Sequence, residues 1–241
     1  MINLLQSEIT KGKGMFSRVA PILIPAVAAL LSLFLMSGSF AQINTYNWWY
    51  TCLAPVAIAL LCSNLIGPDR RLHWQNIDVL PQKRGSTWDA KVILGILILT
   101  ISNFFLFIIT TIAGVVFGQM YSISVGITCL IIMVISFAWM IPFGMFLYSR
   151  FNSATCFIVL LLINVIGSIQ PVAGGKFWFL PMAIPARLMS AMIGINPNGV
   201  LLEPNSPLYD TSVILPGLVI SIVTFAIAYL STRVWFSKKG A

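Results

Sequence analysis

Apolar residues in this chain come in long unbroken runs, not in the alternation of a half-buried strand or the three-and-four spacing of a soluble amphipathic helix. Six runs stand out, at 19–36, 50–66, 92–117, 124–148, 154–169 and 213–229. Crossing about 30 Å of hydrocarbon takes roughly 20 helical residues, and each run meets that demand, 154–169 by extending or tilting. Only helices and closed barrels satisfy their own backbone in lipid. The pattern therefore predicts an all-α integral membrane protein with six transmembrane helices. Residues 1–18 form a weakly amphipathic lead, Leu4, Leu5 and Ile9 against Gln6, Glu8, Lys11 and Lys13, expected to lie at the membrane interface. A cleavable secretory signal is not expected, although Ser39 and Ala41 are spaced like a cleavage site. The apolar run outlasts an ordinary h-region, and Glu8 interrupts the basic lead. Trp48, Trp49 and Tyr50 are expected to form an aromatic belt at the outer surface.

Composition agrees with a lipid solvent. Of 241 residues, 59% are hydrophobic and 8% charged, too few polar groups to cover a soluble body of this size. The net charge of +8 would raise nucleic acid as a partner, but its placement answers the question. With the N-terminus inside, Lys11, Lys13, Arg18, Arg70, Arg71, Lys83, Arg84, Lys91, Arg150, Arg233, Lys238 and Lys239 fall on the cytoplasmic side, leaving Lys176 and Arg187 outside. That asymmetry puts both termini in the cytoplasm and makes the excess a basic collar facing anionic headgroups, with no role for nucleic acid.

Candidate chemistry is sparse. Cys52, Cys62, Cys129 and Cys156 all lie in apolar runs without C-x-x-C spacing, and His73 is the single histidine. No metal or His-dependent catalytic site is expected from such a set. Polar residues within the spans, Asn64, Ser102, Asn103, Thr110, Asn164 and Ser168, are uncharged. They suit hydrogen bonding between helices better than ion coupling. Pro55 and Pro142 are expected to kink their spans, and Gly114 and Gly118 form a lone G-x-x-x-G. A phosphate-cradling G-x-x-x-x-G-K-[ST] is missing, so the chain binds no ATP or other cofactor of its own and is not expected to be an enzyme.

Two stretches between spans exceed what a connector needs. Residues 67–91 mix Leu72, Trp74, Ile77, Val79, Leu80 and Trp88 with charges of both signs. They can form a short amphipathic helix under the membrane and a docking element for a soluble partner. Residues 170–212 are rich in helix breakers, with apolar pieces at 177–182 and 186–195 too short to span. Irregular backbone at membrane depth must be buried in protein, so this stretch is expected to cap the helices on the outside.

These residues suggest a family. The segment Leu80-Pro81-Gln82-Lys83-Arg84, followed by Trp88 and Lys91 before the third span, resembles the coupling-helix region of type 2 ABC exporter permeases. The outer series Trp178-Phe179-Leu180-Pro181, Pro185-Ala186-Arg187-Leu188-Met189 and Gly194-Ile195-Asn196-Pro197-Asn198-Gly199, ending in Ser206-Pro207-Leu208, resembles the permeases of lantibiotic immunity (self-protection) ABC transporters. The likeness runs the length of the chain; Gln82-Lys83-Arg84 departs from it, with two basic residues where small or hydroxyl residues often precede the Arg. It implies a bacterial, Gram-positive cell membrane and assembly with a cytoplasmic ABC ATPase dimer, which binds ATP and Mg, and with a second related permease. It also implies a lantibiotic peptide substrate. Trp74, Asp78, Leu80, Pro81, Lys83 and Arg84 would then couple to the ATPase, and Trp178, Pro181, Pro185, Arg187, Asn196, Pro197 and Gly199 would form an outer gate or contact the peptide. A bacitracin-type exporter shares this layout, and a membrane receptor that binds the peptide without transport is the alternative from another class.

Overall fold

Long runs of Leu, Ile, Val and Phe can satisfy their backbone without water by coiling into helices, and the described residues do so almost throughout. The computed structural model describes residues 2–11, 15–36, 38–78 and 84–238. Leu80, Pro81 and Lys83 lie outside the described residues, as does the side chain of Asp78. Helix α1 is Ile2–Lys11, α2 Met15–Leu35, α3 Phe40–Trp48, α4 Ala54–Arg71, α5 Gln75–Asp78 and α6 Arg84–Phe117. Then come α7 Ile123–Phe137, α8 Met140–Arg150, α9 Ser153–Gly167, α10 Gln170–Ala173, α11 Ile184–Ile193 and α12 Ile214–Lys238. Among the described residues, β pairing is limited to one bridge, Ile195 with Leu201.

Four continuous stretches are long and apolar enough to cross a membrane: Phe40–Arg71, Arg84–Phe117, Ile123–Arg150 and Thr211–Lys238. The apolar segments Val19–Leu35 and Ser153–Gly167 are shorter. The exterior carries large apolar side chains such as Phe34, Val115 and Leu215, each more than two-thirds exposed. A surface of that kind is costly in water and neutral in lipid, so the architecture fits a helical membrane protein.

The expected span 50–66 begins ten residues early, at Phe40, and this corrects the aromatic belt. Trp49 and Tyr50 are fully buried mid-stretch, and the Trp49 indole N–H donates to Asn103 Oδ1 of α6 at 3.1 Å. A buried Trp needs such a partner, and the span amide supplies it.

Pro55 and Pro142 each coincide with a break, whereas Pro21 and Pro25 lie inside the continuous α2. Ahead of Pro55, residues Trp49–Leu53 form a π-helical turn joining α3 to α4. The Ala54 N–H reaches back to the Trp49 carbonyl. Pro55 has no N–H to offer, so the Tyr50 and Thr51 carbonyls lose their ordinary partners. The Asn164 side chain of α9 replaces them, its Nδ2 donating to Tyr50 O at 2.6 Å and Thr51 O at 2.8 Å. Ahead of Pro142, a turn at 138–139 separates α7 from α8. Asn103 and Asn164 thus link helices, as amides in a membrane bundle are suited to do.

Candidate functional site

The bundle has a basic end and a capped end, and the expected site residues divide between them. At the basic end the helices run into the stretch 67–91 from both sides, because α4 continues to Arg71 and α6 starts at Arg84. Between them His73 and Trp74 adopt left-handed backbone, φ +49° and +67°. Such conformations cost of order 1–3 kcal/mol each and persist only where neighbours enforce them. The Trp74 N–H donates to Asp69 O at 2.9 Å, and its ring meets the edge of Phe236 at 5.2 Å. Phe236 in turn packs on buried Trp88, whose indole N–H donates to Thr232 Oγ1 of α12 at 3.2 Å. Trp74 therefore anchors the connecting segment to an aromatic cluster between α6 and α12. Arg84, half-buried, opens α6.

Beside this cluster lies a closed ring of four charges absent from the expectations. Lys91 of α6 donates to Glu8 of α1 and to the Leu65 carbonyl at 2.5 Å, and its ammonium group pairs with Asp69 Oδ2 of α4 at 2.6 Å. Lys11 closes the ring, 2.7 Å from Glu8 Oε1 and 3.0 Å from Asp69 Oδ1. Lys91 and Asp69 are fully buried, Glu8 nearly so, and the Lys11 side chain keeps 23% exposure. Partial burial pulls the Lys11 amine toward neutrality, but the hydrogen bond to Glu8 and the charges of Glu8 and Asp69 outweigh it, raising its pKa above 10.5. The ring is electrically neutral, and that neutrality makes burial tolerable. It fastens the amphipathic lead onto α4 and α6. Two further contacts close this end: Asp89 accepts from Arg233 Nε at 2.7 Å and Nη2 at 3.0 Å, and Arg70 donates to the Tyr148 and Phe151 carbonyls at the end of α8.

At the capped end α11 has nine of its ten residues buried and packs against α7 and α12. Pro185 sits in its first turn, where a missing N–H costs nothing, and Pro181 lies half-buried in the turn before it. Trp178 is half-buried against the core. Arg187 is buried and turned inward, its Nη1 donating to Leu208 O at 2.8 Å. It ties α11 to the returning strand of loop.

Asn196, Pro197 and Gly199 come together in a tight turn. Gly199 N–H donates to Asn196 O at 2.8 Å and Asn196 N–H to Val200 O at 2.7 Å. Gly199 has φ +88°, a region that penalises a side chain. The turn rests on α3 through Asn47, whose Nδ2 donates to Pro197 O at 3.3 Å and to the Tyr50 hydroxyl at 2.7 Å. Between the turn and α3 opens a groove of ≈ 270 Å³. Ile43 and Asn44 floor it, Met36 and Phe40 form one rim, and Ile195, Val200 and Leu201 the other. Trp178, Pro181, Pro185 and Arg187 do not line it.

Comparison with protein-family models, with curated proteins and with solved structures finds no match.

The charge ring and Asn44 escaped the sequence reading. Lys91 had been grouped with the loop, yet it stands seven residues inside α6, about 10 Å along the axis. A lysine at that depth next to an apolar run was the available signal for a buried acidic partner.

Proposed function

We propose that the chain is the permease subunit of an ATP-driven exporter that expels a lantibiotic-type antimicrobial peptide from the membrane and so protects the producing cell. The proposal includes six spans with both termini cytoplasmic, placing the basic end inside and the capped end outside. It also includes a cytoplasmic ATPase dimer that binds ATP and Mg, and a second, related permease. The observation that carries it is the separation of roles between the two ends. At the basic end Trp74 is anchored to an aromatic cluster between α6 and α12, while the buried helix α11 and an apolar groove occupy the other. In this reading energy enters from outside the chain, because the sequence carries no G-x-x-x-x-G-K-[ST]. The helices between the ends contain two proline-linked breaks at which such a force can be converted into movement.

In this mechanism the motor pushes on the segment containing Trp74 and Asp78, with Leu80, Pro81, Lys83 and Arg84 completing the dock. The aromatic cluster passes the displacement to α6 and α12. The α3–α4 stretch, bent at its π turn, changes its angle beneath the cap. Peptide held at the cap is then released outward. The test is co-purification and export. Cells expressing the chain with its ATPase should release bound peptide in an ATP-dependent manner, and Arg84→Glu should abolish ATPase capture while membrane insertion persists. Capture unaffected by the substitution, or release without nucleotide, overturns the proposal.

A further inference from the structure

The groove at the capped end has an apolar rim, but its floor holds a polar group without an assignment. Asn44 is 94% buried, since its exposure is 6%, and its carboxamide makes no hydrogen bond to any described residue. Its neighbours are committed elsewhere: Asn47 bonds to Pro197 and Tyr50, Gln42 accepts from the Met120 N–H, and Asn196 donates to Leu201 O. The carboxamide therefore keeps its hydrogen-bonding capacity for whatever enters the groove it lines.

We infer that this groove binds an extended segment of peptide, seating one or two apolar side chains against Ile43, Ile195 and Leu201 while Asn44 hydrogen-bonds a backbone peptide unit. Three properties choose the occupant. A hydrocarbon chain fits the apolar rim but leaves the carboxamide unpaired, whereas a peptide unit supplies both an acceptor for Nδ2 and a donor for Oδ1. A helical peptide spends its own N–H and C=O groups internally, so only extended or irregular backbone has them to give. A volume of ≈ 270 Å³ falls just below the roughly 300–1,000 Å³ of small-molecule pockets, which suits a side chain or two and excludes a whole folded peptide. The inference rests on the export reading for the peptide's origin, and on the groove alone for its chemistry.

The experiment uses the full chain in phosphatidylcholine and phosphatidylglycerol nanodiscs. The probes are a dansylated hexapeptide of alternating Ile and Lys, the same peptide with N-methylated backbone, and a dansylated fatty acid. The wild-type chain should bind the plain peptide better than the methylated one. Asn44→Ala should weaken the plain peptide about five- to tenfold, the worth of one or two hydrogen bonds, and should erase the difference between the two peptides. Leu201→Asp should weaken both through the apolar side of the groove. Thr128→Ala, remote from the groove, should change neither, and helical content and elution volume report whether each variant folds. Equal binding of both peptides by the wild-type chain, or unchanged affinity in Asn44→Ala, overturns the inference. So does a fatty acid that binds more tightly than either peptide and tighter still to Asn44→Leu. Failure of the wild-type chain to capture an ATPase, with peptide binding intact, sinks the export reading alone, while ATP-dependent export with an indifferent groove sinks this inference alone.

Discussion

Lys91 and Asp69 form an ion pair 2.6 Å long with neither side chain exposed. Neither is held by the other alone, because Glu8 and Lys11 complete an alternating ring in which each carboxylate meets two ammonium groups. The arrangement fastens α1 to α4 and α6, alongside the burial of Leu4 and the packing of Leu5 on the core.

Removing one member should therefore cost more than removing two neighbours of opposite charge. Lys91→Met leaves Glu8 and Asp69 facing each other with only the half-open Lys11 between them, and uncompensated buried charge typically costs about 3–5 kcal/mol. Glu8→Gln combined with Lys91→Met restores neutrality and keeps the Lys11–Asp69 pair, so it should be milder than Lys91→Met alone. Thermal unfolding in detergent, run as a double-mutant cycle, measures the coupling. Additive losses would show that the ring does not act as a unit.

Asn164 should prove sensitive to its donor and indifferent to its acceptor. Its Nδ2 serves both carbonyls freed at the π turn, whereas Oδ1 has no hydrogen-bond partner among the described residues. Asn164→Asp keeps the shape, loses the donor and sets a carboxylate against two carbonyls. Asn164→Ala only leaves the carbonyls unpaired, a loss of about 1–3 kcal/mol. The expected order of thermal stability is wild type, then Ala, then Asp. An Asp variant as stable as the wild type would remove the donor from the account of the turn.

The four long apolar stretches were legible in the sequence because hydrocarbon imposes a length and a composition, and neither depends on which helix packs where. The long stretches at Arg84–Phe117 and Ile123–Arg150 follow their apolar runs for that reason. Trp49 and Tyr50 were not legible, since an aromatic cluster flanking an apolar run reads as an interface until a partner such as Asn103 is placed beside it. The charge ring was hidden in the same way. Glu8 lies 83 positions from Lys91 and Asp69 58 from Lys11, and a single sequence carries no sign of pairing over such distances. The outer turn was half legible: its Asn-Pro-Asn-Gly spacing marked a turn, but Asn44, on a different helix, supplies the polar floor beneath it.

Gly199→Ala should disturb the capped end selectively. A methyl group there would stand 2.9 Å from Asn47 Oδ1 on backbone with φ +88°, so contact and conformation both oppose it. The turn should lift from α3, and the Asn47 bond to Pro197 should be lost. Hydrogen exchange ought to rise at 194–202 while the amides of α6 stay protected. Uniform exchange across the chain would mean that the turn is not an independent unit.

Acid should loosen the loop before α12 only at low pH. The Ser212 hydroxyl and backbone N–H both donate to Asp210, and with the nearby charge of Arg187 they hold its carboxyl below the ordinary 3.8. A depressed carboxyl stabilises above its unfolded value and loses that contribution as pH falls through the folded one. Exchange of the Ser212 amide, corrected for its intrinsic pH dependence, should stay level from pH 7 to 5 and rise only below the ordinary carboxylate range. A rise beginning near pH 6 would assign the loop to another group.

Trp74→Ala distinguishes a motor dock from a mere connector. The ring holds two consecutive left-handed residues in place by its edge contact with Phe236, so truncation frees the segment between Arg71 and Arg84 without touching the buried ring of charges. Because Trp74 is only partly buried, the stability loss should be modest, about 1–2 kcal/mol, below the roughly 3–5 kcal/mol typical of a fully buried aromatic. Transmission is a different matter, since a rigid link is needed to carry a push from a partner to α6 and α12, and a slack one absorbs it. Peptide binding at the capped end should therefore survive in the Ala variant, while stimulation of the partner ATPase by peptide should fall by tenfold or more. Trp74→Phe, which keeps an edge for Phe236, should recover most of it. If stimulation survives in the Ala variant, the segment is only a connector and force enters the bundle elsewhere.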